Sequence, residues 1–548
     1  MKSFFIAAFL ILSAVPVLAQ SSASDSVVVS DASNVALNQD NPSVIISRKD
    51  KHLIVVGASS DYDDMDNNGM LAYTTTDMGK TWASSRLPLT VNQNFYTYGE
   101  PAVVCDNSGT FYYAYITNDG ADSAGNISFA TSPDGKNWKN ETPINNNTTL
   151  AGFPDGVSIC VDNSPLSPRV GRVYAVWNQY FSDPLLFTQQ GVTISWSDNG
   201  CKTWSTPKLL GSSDDYQEVR TGKNGEIYVS VSDSNGFGQL LFTSIDGGNT
   251  FDSQGELIGL FRSYPYFPID ATTGYTRLKG SVGFAAFPYI SFDVDLTTNR
   301  IHCVFGDFQD SLAIQYYVYS DDNGKNWSDQ EIVGLSVGDP ISADRFDPSV
   351  SVDQKTHEAY ILYYSSESDV KNIMTAPFRI RVRDTTKQML SATFDPLVVE
   401  RSATTDPYIG DHTASDAYDS IYVAGWTQNK TGLSDGDVFV YVSSPKSAKN
   451  GVEVPVLLHS NSAWLSAPYP NPSSGKNISF SYYLPHASNI NLDLFDATGK
   501  LVRHLLSASK EEGSYVEQFS LANITEGSYM IRMVTDTGQL SRKLVIMK

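Results

Sequence analysis

The sequence predicts an all-β fold, a β-propeller of six or seven blades followed by a small C-terminal β-sandwich. Three observations predict it. An octapeptide with the pattern hydroxyl, x, Asp, x, Gly, x, Thr, aromatic recurs between residues 75 and 327. A second repeat is interleaved with it: an apolar strand ending in Asp, a turn, then an aromatic-rich strand. From residue 467 onward the pattern changes to short strands with strict apolar and polar alternation.

Taken in order, residues 1–19 read as a secretory signal peptide. Lys2 supplies the charged start, Phe4 to Val15 the apolar stretch, and Val17-Leu18-Ala19 the small-residue cleavage site. No later stretch reaches the roughly 18–20 apolar residues of a spanning helix, so the mature chain is expected to be soluble, with no transmembrane segment. Residues 20–38 form a polar leader.

Residues 39–443 carry the repeats. Copies of the apolar strand begin near Pro42, Pro101, Val157, Glu218, Tyr289, Pro348 and Ile409, which is seven units. The period of roughly 50–65 residues, with about four strands per unit, is the signature of propeller blades. The best octapeptides are Thr75-Thr76-Asp77-Met78-Gly79-Lys80-Thr81-Trp82, Ser244-Ile245-Asp246-Gly247-Gly248-Asn249-Thr250-Phe251 and Ser320-Asp321-Asp322-Asn323-Gly324-Lys325-Asn326-Trp327. Looser copies begin at Thr131, with Pro133 where the Asp belongs, and at Ser197, with Asn199 for Asp and Cys201 for Gly. Each part suits a tight hairpin. The carboxylate and hydroxyls accept backbone N–H bonds, Gly tolerates positive φ, and the aromatic anchors the turn in an apolar layer.

These residues resemble the Asp-box, or BNR repeat, of sialidase-like β-propellers. The resemblance implies a structural role for the octapeptide, away from the mouth where that family places its active site. Six blades are usual there, whereas seven units are counted here.

Residues 444–466 read as a linker, and 467–548 as the sandwich. Ile478, Phe480, Tyr482 and Leu484 share one face, as do Ile490, Leu492 and Leu494, and Tyr529, Ile531 and Met533. Tyr469-Pro470-Asn471-Pro472, Tyr483-Leu484-Pro485, Leu494-Phe495-Asp496-Ala497-Thr498-Gly499-Lys500, Gly527-Ser528-Tyr529 and the ending Lys543-Leu544-Val545-Ile546-Met547-Lys548 resemble the type A C-terminal sorting domain of the type IX secretion system. That resemblance implies a Bacteroidota-type bacterium, the type IX machinery as partner, export through the periplasm, and an extracellular or outer-membrane-surface location.

With 60 acidic and 38 basic residues the chain carries 60 − 38 = 22 excess negative charges, which argues against nucleic acid as a partner. Four cysteines, Cys105, Cys160, Cys201 and Cys303, have no CxxC spacing, and neither zinc, a disulfide nor thiol catalysis is predicted. Cys105 and Cys160 are expected on opposite faces of their strands.

In a propeller, ligands meet the loops that enter the innermost strands. Glu100, Asp155, Glu218 with Arg220, Asp344-Arg345-Phe346-Asp347 and Tyr408-Ile409-Gly410-Asp411 fall there. Glu100, Asp155, Asp347 and Asp411 form a candidate acidic binding ring for a cation or a glycan. The alternative is that these acids cap strands and bond backbone amides. Sialidases clamp a carboxylate with three arginines and use a Tyr–Glu nucleophile pair with an Asp acid/base. By position along the repeats, the resemblance implies Arg220 and Arg345 as clamps, Glu218 and Tyr408 as the pair, and Asp61 or Asp63 as the acid. The family's early arginine motif is absent, since Asn41-Pro42-Ser43-Val44 occupies its place.

Asp64-Met65-Asp66-Asn67-Asn68-Gly69 has the oxygen spacing of the first half of a calcium loop, with Asp64, Asp66 and Asn68 as ligands. Thr75 at the twelfth position rules out an EF-hand, leaving a β-loop calcium site or a solvated hairpin tip. No cofactor is required, and a structural calcium is the one metal considered. His52, His302, His357 and His412 show no metal spacing. Together these features point to an exported propeller that engages glycans or another extracellular polymer. An exo-sialidase-like hydrolase and a non-enzymatic adhesive or structural surface protein are the alternatives.

Overall fold

The computed structural model describes residues 26–28, most of 39–443 and most of 464–547. Stretches outside the described residues include 1–25, 29–38, 61–69, 89–94, 119–124, 145–151, 261–276, 431–435 and 444–463. Among the described residues, seven four-stranded antiparallel sheets build the propeller. Their innermost strands are Gln39–Ile46, Tyr96–Cys105, Pro154–Val161, Ser213–Thr221, Ile290–Val294, Arg345–Val352 and Ala414–Tyr418, numbered here as blades one to seven. Each innermost strand packs beside the next, and that of blade seven packs beside that of blade one, so the ring closes at seven.

Blade seven borrows a strand from the other end of the chain. Ser26–Val28 pairs antiparallel with Phe439–Tyr441 along its outer edge. This strand falls in the stretch 20–38 expected as a polar leader, because three residues far from their partners carry no detectable periodicity. Pairing this edge removes a row of unpaired backbone groups that would invite aggregation.

Seven apolar layers separate the seven blades. Ile45, Val55, Val103 and Tyr113 fill the layer between blades one and two. Val44, Ile54, Val423 and Val438 fill the one that closes the ring between seven and one. The strands are apolar on both sides because each sheet is covered on both faces. The aromatic that ends each octapeptide enters the layer shared with the preceding blade: Trp82, Trp138, Trp204, Phe251 and Trp327 in blades one to five.

The octapeptides are hairpin turns held by their Asp. In blade four, Thr250 donates its N–H to Asp246 Oδ1 at 2.8 Å and its hydroxyl to Oδ2 at 2.6 Å, while Gly248 N–H donates to Ser244 Oγ at 2.9 Å. Blade one repeats this with Asp77 and Thr81, and blade five with Asp322 and Asn326. The fourth and fifth positions both take positive φ: Met78 60° and Gly79 83°, Asn323 65° and Gly324 84°. In blade three the fifth position is Cys201, with φ 64°, and Asn199 accepts from Thr203 N–H at 3.0 Å. Blade two corrects the alignment of its copy. Asp134, not the residue at Pro133, accepts from Asn137 N–H at 2.8 Å, in a turn one residue shorter.

The C-terminal sandwich packs a three-stranded sheet (Trp464–Leu465, Asn477–Leu484, Gly513–Ser520) on a four-stranded one (Leu501–Lys510, Ser488–Asp496, Gly527–Thr535, Gly538–Ile546). The predicted faces, from Ile478 to Leu484, Ile490 to Leu494 and Tyr529 to Met533, meet in its core. Leu465, assigned from sequence to the linker, pairs with Tyr482 and is buried in that core. The four cysteines are unpaired and buried. Cys105 packs toward blade one and Cys160 toward blade four, on opposite faces of their sheets.

Candidate functional site

The innermost strands surround a central cavity of about 1080 Å³. At its mouth, the N-terminal ends of these strands carry a recurrent bulge. The register slips between Asp40 and Ser43, Gly99 and Ala102, Asp155 and Ser158, and Phe346 and Ser349. The extra residue adopts positive φ: Asn41 49°, Glu100 56°, Gly156 58°, Asp347 47°. For the three non-glycines this costs about 1 kcal/mol or more each. Such bulges re-aim side chains at the rim of a closed fold. Asn41 Nδ2 donates to Glu100 Oε1 across blades one and two at 3.3 Å.

Below the mouth, polar side chains join each blade to the next. A side-chain oxygen on one innermost strand accepts a backbone N–H from its neighbour: Ser43 from Val103 (3.0 Å), Ser158 from Val219 (3.3 Å), Glu218 from Phe292 (2.9 Å). Ser291 accepts from Val350 (3.1 Å), Ser349 from Ser415 (2.9 Å) and Asp416 from Ile46 (2.7 Å). Blades two and three are joined instead by Asn163 Nδ2, which donates to Cys105 O at 2.9 Å. Neighbouring innermost strands lie parallel and so cannot complete an antiparallel ladder. The six side-chain oxygens satisfy N–H groups of the neighbouring strands, and Asn163 satisfies a carbonyl.

The predicted residues are placed as follows. Glu218 and Arg220, two apart on one strand, both line the cavity and pair at 3.4 Å. Arg220 also lies 3.7 Å from Asp293 of blade five. Burial pushes the Glu218 carboxyl above its ordinary value, against the opposing pull of Arg220 and the Phe292 N–H. Burial likewise raises Asp293 to about 6, although Arg220 and two backbone N–H groups stabilise its charge. Glu100 and Asp155 line the cavity, and Asp155 accepts from Gly156 N–H at 3.0 Å.

Arg345 does not join them. Its side chain is 2% exposed, does not line the cavity, and donates to Glu367 Oε2 at 2.9 Å. Lys387 reaches the same carboxylate oxygen at 2.7 Å. The clamp expected of Arg345 is corrected on that geometry: its charge is neutralised inside blade six. Asp347 is buried at its bulge and is not part of the cavity wall. Asp344, next to Arg345, is raised to about 6 by burial and accepts from Ala313 N–H at 2.9 Å. Tyr408, Asp411, Asp61 and Asp63 lie outside the described residues, as do Asp64, Asp66 and Asn68 of the calcium loop. Among the described residues, no three His, Cys, Asp or Glu side chains are grouped to hold a metal ion.

Three cavity residues escaped the sequence reading: Asp293, Asp416 and Arg48. Arg48 makes a two-pronged pair with Asp416, at 2.9 Å on each side, and its guanidinium lies 5.0 Å from the centre of the Tyr418 ring. Burial alone would lower the Arg48 pKa, but the Asp416 charge and its hydrogen bonds outweigh this and raise it. The three residues sit within the strands or just past their far end, away from the loops that enter them. Period-two alternation along the innermost strands, as in Glu218 and Arg220 or Ser291 and Asp293, is the signal that finds them.

Residues 467–547 match the family described as Secretion system C-terminal sorting domain. The C-terminal sandwich is a sorting domain. It addresses the chain to the type IX export machinery, hence through the periplasm to the outer surface or beyond. Among the described residues no helix is long and apolar enough to cross a membrane. No curated protein matches the sequence.

Solved structures with a similar fold include the Hadza microbial sialidase Hz136, at TM-score 0.39 and 14% identity over 60% of this chain and 63% of that one. PorZ, a surface component of the type IX secretion system of Porphyromonas gingivalis, matches at 0.37 and 13%, over 90% of this chain and 58% of that one. The polysaccharide lyase Uly1 matches at 0.41 and 9%, over 73% and 89%. The chain thus spans less than two thirds of the length of the first two. At these scores no activity is carried over from any of the three.

Proposed function

We propose that this chain is an exported β-propeller that engages an extracellular glycan, or another extracellular polymer, at the mouth of its central cavity, without sialidase chemistry. The observation that carries the reading is the state of the arginines. Arg220 is paired with Glu218 and Asp293, Arg345 with Glu367, and Asn41 stands where the first clamp would be. A substrate carboxylate would have to displace a protein carboxylate to gain either guanidinium. Glu218 is also engaged with the Phe292 N–H, a bond that serves the ring.

In this reading the five octapeptide turns are Asp-boxes with a structural role, residues 1–19 are the secretory signal, and the stretch before Trp464 is the linker. No cofactor is required by it; Asp64, Asp66 and Asn68 are either ligands of a structural calcium or a solvated hairpin tip. A chelator that leaves the melting temperature unchanged would remove the calcium. The central test pairs a glycan array with release of a fluorescent leaving group from a sialic acid glycoside. Binding without turnover is expected. Robust turnover abolished by Glu218→Gln would overturn the reading in favour of a sialidase-like hydrolase, and the absence of any glycan binder would favour protein adhesion.

A further inference from the structure

We infer that the end of the propeller opposite the mouth docks an acidic polypeptide segment rich in aliphatic side chains. Its seat is an exposed stripe that runs from the far opening of the cavity across blades three and four. The inference stands apart from the glycan reading, which concerns the other end of the cavity.

One turn sets the stripe. In every blade the innermost strand runs away from the mouth, so the turn that follows it lies at the far end. In six blades every exposed residue of that turn is polar, such as Lys49 and Asp50 in blade one, Ser108 in blade two and Thr297 in blade five. In blade three the turn, residues 162–172, reverses this. Its exposed residues are Pro165, Leu166, Pro168, Val170 and Gly171, while Asp162, Ser164 and Ser167 are buried. Leu166 is 62% exposed and Val170 56%.

The buried polar groups hold the turn in this shape. Asp162 accepts the Ser164 N–H at 3.2 Å and the Ser167 hydroxyl, and the Ser164 hydroxyl donates to Lys223 O of blade four. Pro165 and Pro168 each fix their own φ. The apolar surface is therefore preorganised for contact.

Blade four continues the stripe. Arg169 lies across Gly247, where an added Cβ would meet its Nε, and Arg172 Nη1 donates to Gly247 O at 3.0 Å. Val170, next to Arg169 and two residues before Arg172, is thus held beside the octapeptide turn of blade four. Two residues from Gly247 stands Ile245, 80% exposed, in the position that Thr76, Asp198 and Asp321 occupy in blades one, three and five. Single exposed aliphatics are ordinary, but a set gathered on one fixed surface marks an interaction site.

Chemistry and charge select the occupant. The stripe is aliphatic and carries no exposed aromatic ring on which a sugar would stack. Arg169 and Lys223 flank it, and Lys223 lines the far opening together with Leu166. Neither cation is ion-paired among the described residues. The carboxylates of the same surface are committed: Asp162 and Glu226 are buried in their turns, Asp198 pairs with Arg172, and Asp246 holds its octapeptide. The charges left without a partner are positive. Carboxylates spaced along an aliphatic segment complement both features. A second copy in a two-fold contact would instead set like cations against each other.

The test is selection of peptides from a random library displayed on phage against the full mature chain, followed by fluorescence titration of a selected synthetic peptide. Enrichment of Asp and Glu interspersed with Leu, Ile or Val is expected. Leu166→Ser, Ile245→Ser and Lys223→Glu should each weaken binding about tenfold at unchanged melting temperature, because these side chains hold no part of the core. No enrichment, enrichment of basic or aromatic peptides, or binding unaffected by both serine variants overturns the inference. Concentration-dependent association of the parent that Ile245→Ser abolishes would overturn it in favour of a second copy. Flotation of the parent with phosphatidylglycerol vesicles, lost in the same variant, would overturn it in favour of a lipid surface.

Discussion

Replacing Asp416 with Ala tests whether the ring is locked where blade seven meets blade one. Asp416 accepts both Nη groups of Arg48 at 2.9 Å and the Ile46 N–H at 2.7 Å. The pair is 15% and 10% exposed, so solvent and salt screen it weakly. Removing one partner of such a pair strands a buried charge, at about 3–5 kcal/mol. The orphaned Ile46 N–H is part of that loss, and about 4 kcal/mol is a fair total. Unfolding entropy of about 2.1 cal/mol/K per residue gives about 0.8 kcal/mol/K for a cooperative unit of about 400 residues. The expected fall in melting temperature is thus about 5 °C. The assay is thermal unfolding followed by tryptophan fluorescence, in a double-mutant cycle with Arg48→Met. The double variant should recover part of the loss, since no charge is then stranded. A single variant melting within about 1 °C of the parent, or strictly additive losses, would refute the reasoning.

Three further outcomes are expected. Hydrogen bonds hold Asp77 near 2, and they hold Asp134 and Asp246 near 2 against an opposing effect of burial. Their folded pKa values are depressed, so the stability they contribute is present above about 4 and lost as pH falls toward 2. An acid titration by circular dichroism should show Asp246→Asn shifting that loss, and superimposable curves would contradict it. Asp293 works in the opposite sense. Its folded value near 6 lies above its unfolded value, so stability falls as pH rises from about 4 through 6, and Asp293→Asn should flatten the melting-temperature profile in that window. An unaltered slope would show that Asp293 does not titrate there. Deleting residues 20–30 removes the strand that covers blade seven. Light scattering should then report concentration-dependent association at the bared edge, and a monomer as stable as the parent would assign that strand no role.

Much of the fold was legible locally. The hydrogen bonds of the octapeptide are self-contained: Asp246 bonds to Ser244 and Thr250, both within four positions, and only Phe251 reaches beyond the turn, into the layer shared with blade three. The same holds for the alternating faces of the sandwich, where side-chain direction follows from period two alone. The site was legible only in part. Glu100, Asp155, Glu218 and Arg220 were placed at the cavity by counting along the repeats, and all four line it. Arg345 occupies an equivalent position in the count yet turns into its blade. Glu367 and Lys387, 22 and 42 residues away, decide its direction, and no local pattern encodes them.

The sequence by itself determined that the chain is a repeat of four-stranded units with hairpins pinned by Asp and an aromatic, ending in a sorting domain. Those properties rest on short-range hydrogen bonds and periodicity. Tertiary structure alone decided that there are seven blades, that Ser26–Val28 completes the last, and that the cavity arginines are already neutralised by protein carboxylates. Ring closure and ion pairing depend on which strands become neighbours across the cavity. Asp416 and Arg48 are 368 residues apart in the chain and 2.9 Å apart in space, a relation that only the closed ring creates.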